Sequence, residues 1–390
     1  MRIAIATLVV ALGFAFVLAV FASSLTEENV GGRDYIQYWA SGRLLLRHIN
    51  PYDPGAVLRL EQASGSSLTA AEISFSPPQV LSLSLVLALF NAKNGLIVLF
   101  ALMLASVALS LRIIWRLHGS PDTLLPLLGL LFAPVLACLR AGQVSIFFLL
   151  GICLFLYYQE YRQQYRQDRF QVLAGAALLP LILKPHLFLA FGVALLLWIV
   201  KTRRYGVITG FLTAVAISSA APFYLDRNLW AQYTQMIHDA AITDHFVPSL
   251  GYVLRLGLAP AATWIEFVPE LAACAWAAWF FWTRRHRWQW MDQGMLVLLV
   301  SVVCRPYGWF FDEAVLLPAM MTALFRARES GRSLIPFAVV GGAALLQMTQ
   351  VPKMASPLYL WTAPAWLACY LYATVRTSRT AQLHRATEAL

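Results

Sequence analysis

Long apolar runs, many close to 20 residues and nearly free of charge, constrain this chain more than any other feature. A helix crosses the hydrocarbon core of a bilayer in about 20 residues, at 1.5 Å per residue. Of the 390 residues, 60% are hydrophobic and 12% charged. Soluble domains carry about 25% charged residues, so this chain has half the usual supply. Its mean hydropathy is +0.66. Alternating strand-length segments are absent, which excludes a β-barrel reading and leaves helices as the spanning units. The expectation is an all-α polytopic membrane protein forming one integral domain over residues 1–390.

About twelve spans are expected: Ile3–Ala22, Gly95–Trp115, Leu124–Leu139, Val144–Tyr158, Val172–Leu183, Leu187–Val200, Gly206–Phe223, Thr263–Trp282, Met291–Cys304, Ala314–Phe325, Leu334–Met348 and Pro357–Val375. The third is expected to start at Ser120 as N-cap, Pro121 at its first position and Asp122 in its first turn, and to kink at Pro134. The first run exceeds a typical signal-peptide core, so it reads as a retained span. Pro77–Phe90 is apolar but only 14 residues long, and it reads as a juxtamembrane or re-entrant helix. With that choice 18 of the 29 Lys and Arg fall on one side, most sharply in the shortest loops. The positive-inside rule then makes both termini cytoplasmic. It also accounts for most of the +10 net charge without nucleic acid as a partner. Residues 23–93 become a first extracytoplasmic loop and residues 224–260 a second. The five cysteines lack CxxC spacing and read as packed thiols. No internal repeat suggests an inverted-repeat transporter.

This topology collects Asp34, Arg140, Gln143, Lys184, His186, His238, Asp239, Asp244, His245, Arg305 and Asp312 on the outer side. Ionisable groups inside a membrane are costly, so those at span breaks are expected to line a polar cavity. Asp34 opens a segment in which Tyr35, Tyr38, Trp39, Gly42 and Leu46 share one side at three- and four-residue spacing. A plain interfacial helix with Asp34 as its N-terminal charge has this pattern. So does a helix whose N-terminus keeps Asp34 ionised to accept a proton from a hydroxyl. Asn50–Pro54 reads as a turn, with Asp53 as a turn residue. Lys184, between Leu183 and Pro185-His186, either snorkels or holds a phosphate. Arg140, Arg255 and Arg305 are further phosphate candidates because arginine contacts phosphate in bidentate fashion. His238 and His245 read equally as uncommitted surface histidines. GxxxxGK[ST], HExxH, GxSxG and strand-borne GxGxxG signatures are absent, and no acidic or histidine cluster suggests a metal. No cofactor is expected.

Several stretches together carry a family resemblance. The segment DYIQYWASG after the first apolar run, followed by NPY, is similar to the corresponding region of glycosyltransferase family 87. FSPPQ resembles that family's aromatic-x-P-P segment, RAGQVSI its G-Q-x-N turn, LKPH its K-P break, and RPYGWFFD its late P-x-S-W turn. These motifs occur in order from Gly31 to Glu313. Ser145 stands where the family often has Asn, Gly308 where it has Ser, and Asp312 near a position where some members place His.

The family includes phosphatidylinositol-mannoside mannosyltransferases. The resemblance implies a C-type glycosyltransferase fold in a cell (inner) membrane, with an extracytoplasmic site. It implies transfer of a hexose, with mannose the named example, from a polyprenyl-phosphate donor to a lipid or glycan acceptor. Asp34 would be the general base. Lys184 would contact the donor phosphate, and Gln143 and Arg140 would line the cavity. Tyr38, Trp39, His186, His245, Arg305 and Asp312 complete the candidate substrate-binding set. A good phosphate leaving group needs no general acid, so one carboxylate suffices for inverting displacement. The alternative is a non-catalytic transporter or flippase of polyprenyl-linked glycans, which would use the same cations along a translocation path. The long acid-bearing first outer loop is what such a protein would not need.

Overall fold

A computed structural model of the protein describes residues 30–31, 33–121, 123, 125–165, 167–239, 247, 249–351 and 356–375. The expected first span and its polar end, Asp122, Asp244 and His245 lie outside the described residues. Among the described residues every regular element is helical. In chain order the α-helices are α1 Tyr35–Leu46, α2 Pro54–Ala63, α3 Leu81–Ala88, α4 Ala92–Leu117, α5 Ala133–Ala141, α6 Ile146–Tyr165, α7 Arg169–Ala177, α8 Leu189–Thr202, α9 Gly206–Leu225, α10 Leu229–Asp239, α11 Leu250–Leu258, α12 Val268–Arg284, α13 Met295–Val303, α14 Leu317–Glu329, α15 Ile335–Gln350 and α16 Thr362–Thr374.

Two of these, α4 and α9, have both the length and the apolar character to cross a membrane; five shorter apolar helical stretches accompany them. Large apolar side chains point outward on α8 (Leu196, Val200), α9 (Leu212, Ile217), α12 (Leu271, Trp279) and α15 (Val339, Leu346). Such a surface is consistent with a lipid environment, since water-soluble monomers rarely expose contiguous apolar area on this scale. All five cysteines are free thiols.

The expected third span takes a different form. Leu125–Leu131 is a 3-10 segment, and α5 begins at Ala133 with Pro134 in its first turn. Proline lacks an N–H and is pre-set for a helix start, so Pro134 opens a helix where a kink was expected. Ser120 has φ +52°, which is not N-cap geometry. Elsewhere prolines again break helices. α7 gives way to 3-10 turns at Leu179–Leu183 and Pro185–Leu187, with Lys184 between them at φ −140°. Pro77–Phe90 forms a 3-10 turn and the short α3.

Helix α1 is not a helix with one wet side. Ile36, Ala40, Ser41, Leu44 and Leu45 are buried along with Tyr35, Tyr38 and Trp39. The reason is visible at the α3–α4 corner. Helix ends leave carbonyls without intrahelical donors. Three α1 side chains at four-residue spacing donate into this corner: Arg43 Nη1 to the Ala88 carbonyl at the end of α3 (2.9 Å), Trp39 Nε1 to that of Phe90 in the turn (3.0 Å) and Tyr35 Oη to that of Ala92, the first residue of α4 (2.8 Å). The helix is therefore clamped into the interior, and Trp39 is part of the clamp. Asp53 caps α2, its Oδ1 accepting from the Ala56 N–H at 2.6 Å, as a turn residue should.

Close approach of α1 to α3 requires Gly42. A β-carbon there would lie 2.0 Å from the Ser84 carbonyl oxygen. Gly42→Ala should force the helices apart and cost about 1–3 kcal/mol, in the range of core overpacking. The check is thermal unfolding in detergent. An unchanged Tm would mean that α1 is not seated as described.

Candidate active site

Asp34 ends the turn before α1. Its carboxylate does not cap the helix, since no side-chain hydrogen bond reaches an α1 backbone N–H. Instead Oδ2 accepts from Gln143 Nε2 at 2.7 Å. Gln143 Oε1 accepts in turn from the Tyr38 hydroxyl at 2.9 Å. The three side chains form a directed chain, phenol to amide to carboxylate, and the tyrosine donation orients the amide so that its NH2 faces Asp34. Oδ1 of Asp34 has no hydrogen-bond partner among the described residues.

Local structure explains how Gln143 arrives there. α5 ends in a left-handed Gly142 (φ +67°), with Gly142 N–H donating to the Leu139 carbonyl and Gln143 N–H to that of Cys138. This is a Schellman C-cap, in which glycine takes the left-handed position without a β-carbon penalty. The chain leaves the helix sharply, and Gly142 packs on Tyr35, where a β-carbon would be 3.0 Å from Tyr35 Cβ.

Beside this chain lies an ion pair. Lys184 Nζ donates to Asp312 Oδ1 at 2.7 Å. The Ser145 hydroxyl also donates to Oδ1, and the Trp309 N–H donates to Oδ2 at 2.9 Å. Asp312 is fully buried, and both its oxygens are engaged. The Lys184 ammonium lies 5.0 Å from the centroid of the Phe311 ring. The 183–187 break releases Lys184 from any helical ladder, and the extended turn before Phe310 brings Asp312 back to meet it.

The electrostatics of the two acids differ. Burial raises the Asp34 pKa above its ordinary value; the Gln143 hydrogen bond and Lys184 pull it back, and Asp312 pushes it up again. The expectation that a helix N-terminus holds Asp34 ionised is therefore replaced by a desolvated carboxylate, with Gln143 and Lys184 favouring its charged form. Burial acts upward on Asp312 too, but Lys184, the Ser145 hydroxyl and the Trp309 N–H outweigh it and leave that carboxyl below its ordinary value. The two carboxyls are pushed in opposite directions, and Asp312 is the one paired with a cation.

The other candidates are placed as follows. His186 has a buried Nε2 without a partner among the described residues, and its ring packs edge-on to Tyr307. Burial first, then Lys184, lower its pKa to about 4, so it is neutral near pH 7. Arg305 is buried and paired with Glu313, Nη2 to Oε1 at 3.1 Å, with Thr362 donating to the same oxygen at 2.9 Å. Those bonds commit its guanidinium to Glu313. Arg255 pairs with Glu266 at 2.6 Å. His238 is exposed beside Asp239. Arg140 donates to the Met348 carbonyl at 3.2 Å. Among the described residues no three His, Cys, Asp or Glu side chains gather to hold a metal ion.

Three residues near the site were given no role from the sequence. Ser145 stands out there only as the replacement for a family Asn, two positions after Gln143 in the same turn. Arg33 adjoins Asp34 and signals itself only by that. Glu72 carries no local signal. It lies in the first loop with its N–H on the buried Glu61 carboxylate (3.2 and 3.3 Å), and burial, then the Asp34 and Glu61 charges, raise it to about 7.

Fold and site together define a class: an apolar, all-helical protein whose buried carboxylates, amide and lysine converge where helices break. The family follows from comparison with known proteins. The profile of Glycosyltransferase family 87 matches residues 75–306, well over half of the chain, and the chain belongs to that family. It is a glycosyltransferase. The matched segment contains Arg140, Gln143, Ser145, Lys184, His186 and Arg305; Asp34 and Asp312 flank it. Neither the curated proteins nor the solved structures contain a match to this chain.

Proposed function

We propose that this glycosyltransferase moves a hexose, mannose being the first sugar to test, from a polyprenyl-phosphate donor to a hydroxyl of an extracytoplasmic lipid or glycan. In this reading the chain has a C-type fold of about twelve spans in the cell membrane, and both termini are cytoplasmic. The supporting observation is the chain Tyr38–Gln143–Asp34, which ends on a carboxylate oxygen without a partner among the described residues. A lone acceptor with a raised pKa, beside a committed lysine, suits a general base better than a structural ion pair. The acceptor oxygen attacks the anomeric carbon, its proton passes to Asp34, and the bond to phosphate breaks with its electron pair leaving on the phosphate. No group need protonate so good a leaving group, and the single displacement inverts the anomeric centre.

The pH dependence follows from the direction of the Asp34 shift. The base must be ionised, and its pKa lies above the ordinary carboxylate value of 3.8. Activity should therefore rise with pH through that raised value, giving an acid limb displaced upward. Gln143→Ala removes the bond that favours the carboxylate, so the limb should move further up. A hydrogen bond to a charged group is worth about 1.5–3 kcal/mol, and the rate should fall about tenfold or more. The assay uses protein in proteoliposomes with labelled polyprenyl-phosphate mannose and reads both the new glycosidic bond and its anomeric configuration. Movement of label across the bilayer without a new bond, or an acid limb indifferent to Gln143, would defeat this reading.

A further inference from the structure

Arg33, next to Asp34 in the chain, sits against Arg140, which lies three residues before Gln143. Arg33 Nη1 donates to the Arg140 carbonyl, and Arg140 Nη1 donates to the Met348 carbonyl at 3.2 Å. Neither guanidinium forms an ion pair among the described residues, and both are half-buried. The Arg33 Nε is buried without an acceptor among the described residues. The neighbouring cations are already spent, Lys184 on Asp312 and Arg305 on Glu313.

Helix ends account for only part of this arrangement. The carbonyls of Arg140 and Met348 lie in the last turns of α5 and α15, where partial negative charge favours cations. Each occupies one of the five donors a guanidinium carries. Two like charges taken partly out of water repel each other, and burial followed by Arg140 weakens the hold of Arg33 on its proton. A pair kept in that state has guanidinium donors to spare and no counter-charge among the described residues, the complement of a phosphate.

We propose that Arg33 and Arg140 together seat the phosphate of the lipid-linked sugar donor, while Lys184 stays with Asp312. The inference rests on the polyprenyl-phosphate reading above and assigns its anion. As the anomeric C–O bond breaks, the electron pair goes to the phosphate oxygen and the donor diester becomes a monoester. The seat then holds one more negative charge than in the ground state. Cations without a partner strengthen their interaction at that moment, whereas a lysine already neutralised has less to add.

The test measures binding of a polyprenyl monophosphate to the full chain in zwitterionic nanodiscs. Arg33→Gln and Arg140→Gln should each weaken it about tenfold or more, matching the worth of a charged hydrogen bond. The double variant should lose about a hundredfold. The paired Lys184→Met and Asp312→Asn variant, which strands no buried charge, should change affinity less than either arginine variant. Asp34→Asn should bind at least as tightly as wild type, so a failed base assignment and a failed phosphate seat are told apart. Inorganic phosphate and phosphatidylglycerol serve as competitors. Weak competition by both supports a lipid-linked phosphate, whereas equal competition by phosphatidylglycerol makes this a general headgroup site and overturns the assignment. Wild-type affinity in both glutamine variants also overturns it. Should those variants fail to fold, Arg33→Lys and Arg140→Lys carry the test. They keep charge but lose the fork, and should weaken binding about fivefold; wild-type affinity in both would refute the seat.

Discussion

Asp34→Asn is expected to remove sugar transfer while leaving the protein folded. Losing a positioned general base costs about 10^2- to 10^4-fold. Folding should survive because no structural bond depends on the negative charge. Asp34 caps no helix N–H, and its one hydrogen bond among the described residues, from Gln143 at 2.7 Å, can be accepted by an amide oxygen. Relief from desolvating a carboxylate should even raise the Tm slightly. Turnover of labelled lipid-linked sugar and thermal unfolding, measured on the same preparation, check both halves. Full turnover by this variant would end the assignment of Asp34 as base. Inactivity with an unfolded chain would instead mean that the carboxylate has a structural role.

Lys184→Met should be the most destabilising single change at the site, by about 3–5 kcal/mol, because it strands Asp312 as an uncompensated buried charge. The neutral pair Lys184→Met with Asp312→Asn should recover much of that loss. Asparagine can still accept from the Trp309 N–H, and no buried charge remains. The recovery is a coupling energy, expected in the range of about 0.5–3 kcal/mol for contacting residues. The sign with pH follows from the depressed Asp312 value. Its contribution is complete above the ordinary carboxylate range and is lost as pH falls through the lower folded value. Acid should therefore cost wild type more stability than the double variant. If both variants unfold at one temperature, Lys184 and Asp312 are not coupled, and the picture of a lysine committed to Asp312 fails. Activity should stay low in both variants, since neither restores the charge that favours ionised Asp34.

These expectations differ in how readily they could be read from the chain. That Asp34 opens a helix, that the backbone breaks at Lys184-Pro185 and that Arg140–Gln143 is a turn are local matters. They follow from proline's missing donor, glycine's freedom at φ +67° and apolar periodicity. Helices occupy the expected apolar stretches from Gly95 onward, with the third remodelled around Pro134.

Apolar runs with sparse charge determined, on their own, an all-helical chain with its polar chemistry at the breaks, because helix formation and helix termination are decided within a few residues. Only the tertiary structure decided which polar group meets which. Gln143 reaches Asp34 across 109 positions, and Asp312 reaches Lys184 across 128. It also decided that Trp39 secures a helix corner, that Arg305 belongs to Glu313, and that Arg33 and Arg140 lie side by side with no acid paired to them among the described residues. Such pairings depend on which helix ends pack together, and desolvation is felt only once they have packed. No local pattern of residues records either.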